Sequence, residues 1–124
     1  MSTIKLEYHE EDQGKVQKKF LTFSQELLKK PYVLESLFVI KVNGESMQPK
    51  INDNALVVAD LSQKEFEQSA IYLVYYENNM WIKQAKKEEG KELFVSINPA
   101  FKHLVYAKEE VRVIAKALLT FTTL

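Results

Sequence analysis

A chain of 124 residues has the length of one compact domain and leaves little room for a second. Lys and Arg together number 17, as do Asp and Glu, so the chain lacks the basic excess of domains that grip nucleic-acid phosphates. It contains no cysteine, which excludes disulfides and thiolate metal sites. The two histidines, His9 and His103, stand in no metal-ligand spacing, and we expect neither a metal nor another cofactor.

The opening residues lack the apolar stretch of a signal peptide. No apolar run in the sequence is long enough to span a bilayer. The sequence therefore predicts a soluble, cytoplasmic protein with no membrane partner.

Residues 1–19 are polar and charged, with an acidic run at residues 10–12 shortly before Gly14. This composition is typical of a solvated N-terminal arm, which is either a cleavage segment or the remnant of a linker. Residues 20–124 then make up the folded domain.

At the start of that domain, residues 20–30 predict one short helix. Ser24 suits its N-cap, Leu27 and Leu28 give it an apolar side, and Pro31 ends it.

Further along the chain, short runs rich in β-branched and aromatic residues alternate with turn signals such as Asn43-Gly44. The predicted strands and extended pieces are residues 37–42, 55–59, 71–76, 80–85, 93–97, 105–106 and 111–120. Strands this short and evenly spaced predict a mostly β domain, either a compact barrel or a sandwich, with one short helix.

The stretch VNGESMQP at residues 42–49 is the most informative one. Ser46 follows Gly44 at the end of a predicted strand, in an irregular segment closed by Pro49. A hydroxyl is thereby placed at the rim of a sheet, where backbone N–H groups are free to point at a developing oxyanion. On the residues alone, a plain turn serine remains the commoner interpretation.

A serine nucleophile needs a base, and neither histidine lies in a persuasive context. Lys83 lies in the otherwise apolar run MWIKQ at residues 80–84. Alternation along a strand puts Trp81 and Lys83 on one face, where burial would lower the lysine pKa and let the neutral amine accept a proton. The alternative is an edge-strand lysine that guards against aggregation.

Four segments, in order, resemble the C-terminal peptidase domain of LexA, UmuD and phage CI repressors. GESMQP at 44–49, with INDNALVVAD at 51–60, resembles the family's Gly-x-Ser-Met-x-Pro segment and the acidic turn and hydrophobic strand that follow it. NMWIK at 79–83 resembles the strand that carries the family's lysine. SINPAF at 96–101 and VRVIAKA at 111–117 resemble the next segment and the last strand.

The resemblance implies a LexA-like serine peptidase in which Ser46 is the nucleophile and Lys83 the general base. It makes the backbone N–H of Ser46, helped by that of Met47, the oxyanion donor. Gly44 then shapes the turn, and Met47 and Pro49 pack and orient the loop.

The resemblance also implies a regulatory setting. Family members cut their own chain, and in repressors a RecA filament formed after DNA damage favours the cut, as part of the SOS response. We therefore expect a homodimer, with the late strand at residues 111–120 in the core or at the dimer interface. DNA contact is expected only through an N-terminal helix-turn-helix domain that this sequence does not contain.

The sequence departs from the family pattern at three places. Asn54-Ala55 stands where a Gly-Asp pair is common, and Ser69-Ala70 stands where another glycine begins the hairpin. No Ala-Gly or Cys-Gly pair precedes Ser46, so Gln13–Gly14, which holds the only glycine before Gly44, is the candidate scissile bond.

Three functions fit these observations. The first is the self-cleaving and dimerising domain of a LexA-like or phage-type transcriptional repressor. The second is a dimerisation module of a repressor in which the Ser–Lys pair is idle. The third is a stand-alone UmuD-like accessory of an error-prone DNA polymerase.

Overall fold

The computed structural model describes residues 2–124, and strands dominate it. Strands make up 52% of the chain and helical residues 10%, which confirms the predicted mostly β class. The strands within the described residues are β1 (Thr3–Asp12), β2 (Lys15–Ser24), β3 (Leu37–Lys41), β4 (Leu56–Asp60), β5 (Ile71–Tyr76), β6 (Asn79–Glu88), β7 (Lys91–Val95), β8 (Val105–Ala107) and β9 (Arg112–Phe121). Single 3-10 turns lie at Gln25–Leu27, Leu34–Ser36, Pro99–Phe101 and Lys108–Glu110.

The strands form two antiparallel sheets that do not close into a barrel. One sheet is the β1–β2 hairpin, and the other has seven strands in the order β3-β4-β9-β5-β6-β7-β8. The predicted late strand is confirmed as β9, which pairs with β4 on one edge and with β5 on the other. β4 pairs with the second half of β9, from Lys116 to Phe121, and β5 pairs with the first half, from Arg112 to Lys116. Among the described residues, no helix is long and apolar enough to cross a membrane.

The N-terminal residues form a hairpin, which corrects the expectation of a solvated arm. β1 pairs with β2 along its whole length, and the two strands join at Gln13 and Gly14, both with positive φ. Side chains on one face of the hairpin pack on the core beside Leu37 and Val39 of β3. These packing residues are Ile4, Leu6, Tyr8, Leu21 and Phe23. The function of residues 1–19 as a cleavage segment stays a prediction.

The helix predicted for residues 20–30 is wrong except for one 3-10 turn at Gln25–Leu27. β2 continues to Ser24 because Leu21 and Phe23 alternate inward against the core. Ser24 caps the turn as expected, since its Oγ accepts a hydrogen bond of 3.2 Å from the N–H of Glu26.

The centre of the large sheet is the best-buried part of the molecule. The fully buried side chains include Val57 and Val58 of β4, Leu73 of β5 and Ala115 of β9. Packing of this kind holds backbone positions tightly. The loop that follows β3 and the strands β6 and β7 are therefore anchored to a rigid frame.

Candidate active site

The loop between β3 and β4 carries Ser46, and backbone hydrogen bonds join the two ends of this loop. The N–H of Val42 donates to the carbonyl of Ala55 at 2.8 Å, and the N–H of Asn54 donates to the carbonyl of Val42 at 2.9 Å. Gly44 has a φ of 108°, which a residue with a Cβ rarely adopts, and its N–H donates to Asp53 Oδ1 at 2.8 Å. Gly44 therefore lies in the turn before Ser46 with a backbone conformation that favours glycine, and its functional role stays a prediction.

Met47 and Pro49 support this loop in different ways. Met47 is only 2% exposed and packs with Ile51 and Val57 beneath the loop. The carbonyl of Met47 accepts a hydrogen bond of 2.9 Å from the N–H of Ile51. Pro49 is exposed, so it restricts the backbone through its ring instead of packing.

Lys83 lies in the middle of β6 and is completely buried. Its strand pairs with β5 on one side and β7 on the other, which excludes the edge-strand interpretation. Its Nζ lies 3.4 Å from Ser46 Oγ and 2.9 Å from Ser96 Oγ. The ring of Trp81, two residues earlier on the same face, lies 5.7 Å from Nζ. The structure therefore brings the two predicted catalytic side chains together.

Burial lowers the pKa of Lys83 to about 8. The physical cause is desolvation, because a buried ammonium loses its hydration. Within residues 2–124, the hydrogen-bond partners of Nζ are two neutral hydroxyls and no carboxylate. Neither hydroxyl carries a negative charge that would favour the ammonium. A substantial neutral fraction near pH 8 follows, and a neutral amine can accept a proton from Ser46.

The carbonyl groups around Ser46 are tied to Asn98. The N–H of Asn98 donates to the Ser46 carbonyl at 2.9 Å, and Asn98 Nδ2 donates to the Glu45 carbonyl at 2.9 Å. In the described part of the chain, the N–H groups of Ser46 and Met47 donate to no protein acceptor. These two donors are therefore available for an oxyanion formed at Ser46.

Sequence reasoning assigned no role to Ser96 and Asn98. Ser96 follows Val95, which pairs with Gln84 next to Lys83, so only the register of β6 and β7 indicates that Ser96 lies near the base. A signal for Asn98 was its place before Pro99, which is typical of a helical N-cap. Asn98 Oδ1 indeed accepts a hydrogen bond of 3.0 Å from the N–H of Ala100.

We predict that Asn98→Ala slows any reaction at Ser46 and lowers stability by about 1–2 kcal/mol, because it removes both side-chain hydrogen bonds. Asn98→Asp keeps the acceptor for Ala100 but loses the donor to Glu45, so it should retain more stability while still loosening the loop. Urea unfolding and amide hydrogen exchange at Ser46 and Met47 measure the two effects. Equal behaviour of the two variants would contradict this division of roles.

A cleft of about 420 Å³ opens beside Ser46. Its walls are mostly apolar and come from β3, the Ser46 loop, β6, Phe101 and Leu104. The apolar lining residues are Ile40, Val42, Met47, Met80, Trp81, Ile82, Phe101 and Leu104. A larger cavity of about 790 Å³ lies between residues 27–31, residues 62–67 and β9, and its lining does not include Ser46 or Lys83. Of these two cavities, only the smaller one is lined by Ser46, and neither is lined by Lys83.

The predicted scissile bond, Gln13–Gly14, lies in the tight turn of the hairpin. The φ angles of 50° and 78° are left-handed, so the bond is not extended as a cleaved segment must be. Three residues earlier, Glu10 contacts both Lys19 and Lys41, the last residue of β3. These two lysines lower the pKa of Glu10 to about 2. The ion pair with Lys41 thus holds the hairpin near the start of the Ser46 loop. Cleavage at Gln13–Gly14 remains a prediction.

A buried lysine of lowered pKa beside a serine hydroxyl is the pair that peptidases with a lysine base use. Residues 4–118 match the family model described as Peptidase S24-like, so the chain belongs to that family. The predicted resemblance to the LexA, UmuD and phage repressor domains is thereby confirmed.

Two curated relatives are named as a transcriptional regulator and as a repressor protein. Over 67 residues, or 53% of this chain and 28% of the relative, the chain is 39% identical to an uncharacterized HTH-type transcriptional regulator of Haemophilus influenzae. Over 88 residues, or 68% of this chain and 37% of the relative, it is 28% identical to the 26 kDa repressor protein of Escherichia phage HK022. The chain thus spans about a third of the length of these relatives.

Proposed function

We propose that this domain is the self-cleaving and dimerising part of a LexA-like or phage-type transcriptional repressor. The observation that carries the proposal is the 3.4 Å separation between Ser46 Oγ and the amine of Lys83, whose burial lowers its pKa to about 8. The names of the two relatives, a regulator and a repressor, support the regulatory setting.

The chemistry begins with Lys83 in its neutral form. Its amine accepts the proton of Ser46 as Oγ attacks a peptide carbonyl, and the N–H groups of Ser46 and Met47 stabilise the oxyanion that forms. The Lys83 ammonium then gives its proton to the leaving amine, and the new N-terminus departs. Water, deprotonated by Lys83, attacks the acyl-enzyme and regenerates Ser46.

The proposed partners are a RecA filament, DNA and a second copy of the chain. A RecA filament formed after DNA damage would favour the cut, and DNA would be bound by a helix-turn-helix domain outside this sequence. A homodimer would form through side chains of β9, because Leu118 and Leu119 remain partly exposed on the strand and line the larger cavity. Cleavage would then separate the dimerising domain from the DNA-binding one.

A second candidate function is a dimerisation module with an idle Ser–Lys pair. The observation that favours it is the closed hairpin turn at Gln13–Gly14, which presents no extended segment to Ser46. In that case the chain would dimerise and stay intact under all conditions.

We predict that the chain cuts itself at Gln13–Gly14 on incubation at pH 9, more slowly at pH 7, and not at all as Ser46→Ala. Glu10→Gln should accelerate the cut several-fold, because it removes the charge that holds the hairpin to Lys41. Glu11→Gln is the matched control, since Glu11 lies on the outer face of the same strand opposite Val16. Intact-mass analysis measures the loss of residues 1–13.

An equal cut in the Ser46→Ala protein would contradict the peptidase proposal. A cut at another bond that still depends on Ser46 would keep the nucleophile and replace the scissile bond. An intact chain at every pH, even with Glu10→Gln, would favour the idle dimerisation module. Sedimentation at micromolar concentration tests the homodimer separately.

A further inference from the structure

The hydroxyl nearest to the Lys83 amine belongs to Ser96. Ser96 Oγ lies 2.9 Å from Nζ, whereas Ser46 Oγ lies 3.4 Å away. Ser96 directly follows β7, and the pairing of Gln84 with Val95 places it across from Lys83. The register of β6 and β7 therefore brings Ser96, one residue past the last pair, close to Lys83.

A neutral amine has two N–H donors and one lone pair. If one N–H donates to Ser96 Oγ, the lone pair stays free to accept the proton of Ser46. A lysine side chain has a long, flexible stem, so an anchor at its end restricts the directions that the lone pair can take. Ser96 is suited to this task because its hydroxyl can accept a hydrogen bond without carrying charge.

We propose that Ser96 is a positioning residue for Lys83: its Oγ holds the amine so that the nitrogen lone pair faces Ser46. This inference rests on the proposed peptidase function and adds a third side chain to the Ser–Lys pair. Ser96 acts through Lys83 and does not attack the substrate itself. Among the described residues, Ser46 lines the cleft and Ser96 does not.

The same short segment also holds the nucleophile loop. Asn98, two residues after Ser96, bonds the carbonyls of Glu45 and Ser46. Ser96, at the start of the segment, bonds the base Lys83, and Asn98, at its end, bonds the loop that carries Ser46. Hydrogen bonds from residues 96–98, which directly follow β7, thus reach both Lys83 and the loop that carries Ser46.

The test compares Ser96→Ala with Ser96→Thr, which keeps a hydroxyl at the same atom. The first-order rate of self-cleavage should fall about tenfold in Ser96→Ala on the alkaline plateau, as expected for the loss of one aligned hydrogen bond. The rising limb of its pH profile should also move to lower pH, because the Lys83 ammonium loses an acceptor that favours the charged form. Ser96→Thr should restore both properties.

A second readout does not depend on cleavage. NMR titration of the Lys83 side chain should show a lower pKa in Ser96→Ala than in the parent and an unchanged pKa in Ser96→Thr. A slower Ser96→Ala protein with the parent's pH profile and the parent's Lys83 titration would overturn the positioning role, since that pattern indicates a structural effect. If the parent never cuts itself, the peptidase proposal fails, and the titration alone still decides whether Ser96 holds the amine.

Discussion

Self-cleavage of the Lys83→Ala protein is expected to be about 10²–10⁴-fold slower than that of the parent between pH 7 and pH 10, the usual contribution of a general base. The loss should be largest at high pH, where the parent's amine is mostly neutral. With a pKa of about 8, Lys83 is neutral in roughly one molecule in ten at pH 7 and in about nine in ten at pH 9. The parent's rate should therefore rise about tenfold per pH unit below 8 and level off above 9.

The dependence of the self-cleavage rate on pH distinguishes a buried lysine base from an unburied lysine and from a histidine. An unburied lysine would give a rate that still rises beyond pH 10, and a histidine would give a plateau near pH 7. Lys86→Ala is the matched control, because Lys86 lies on the same strand but is exposed and paired with Glu88. A Lys83→Ala protein with the parent's rate, or a parent whose rate falls as the pH rises, would end the assignment of Lys83 as base.

The reactive pair could be predicted from sequence because local signals marked Ser46 and Lys83 as candidates and the resemblance to the LexA, UmuD and phage CI domains then selected them. The turn at Gly44, the serine two residues later and the proline at 49 lie within six residues, and alternation on one strand placed Lys83 beside Trp81. The lowered pKa followed from burial, which the apolar run around Lys83 indicated. What the sequence did not contain was the distance between two segments on different strands.

The hairpin was missed although its alternation is present in the sequence. In residues 4–9, apolar Ile4, Leu6 and Tyr8 alternate with charged and polar side chains, which is the pattern of a half-buried strand. The number of charged residues in this segment favoured a solvated arm, and that weighting was wrong. The charges lie on the outer face, and Glu10 points inward to bond Lys19 and Lys41.

The role of Ser96 could not be predicted from local signals in the sequence. Its role requires the pairing register of β6 and β7, and a slip of one residue would point its side chain to the other face. Register is set by the turn between the strands and by packing of both faces. For this reason, the residue beside the base became apparent only from the fold.

Replacement of the buried base, Lys83, is also expected to change the stability of the folded protein strongly. We expect Lys83→Met to raise the free energy of unfolding by about 1–3 kcal/mol at pH 7. Each tenfold change in proton affinity is worth about 1.4 kcal/mol, so a pKa lowered from its ordinary value of 10.5 to about 8 corresponds to a penalty of about 3 kcal/mol. Methionine fills a similar volume without charge, and it loses the hydrogen bonds to Ser46 and Ser96, worth about 1 kcal/mol each.

The advantage of Lys83→Met over the parent in free energy of unfolding should shrink as the pH rises. Below pH 8, Lys83 is charged in both the folded and the unfolded chain, and the folded chain bears the full penalty. Between pH 8 and 10.5, the folded chain releases the proton while the unfolded chain still binds it, so the parent gains stability with pH and Lys83→Met does not. Urea unfolding of both proteins at pH 7 and pH 10 measures the difference, and the other titrating groups cancel between the two proteins. A Lys83→Met protein less stable than the parent at pH 7, or an advantage that is as large at pH 10, would show that the amine is not held in a desolvated site. That result would also remove the reason for expecting Lys83 to work as a base near neutral pH.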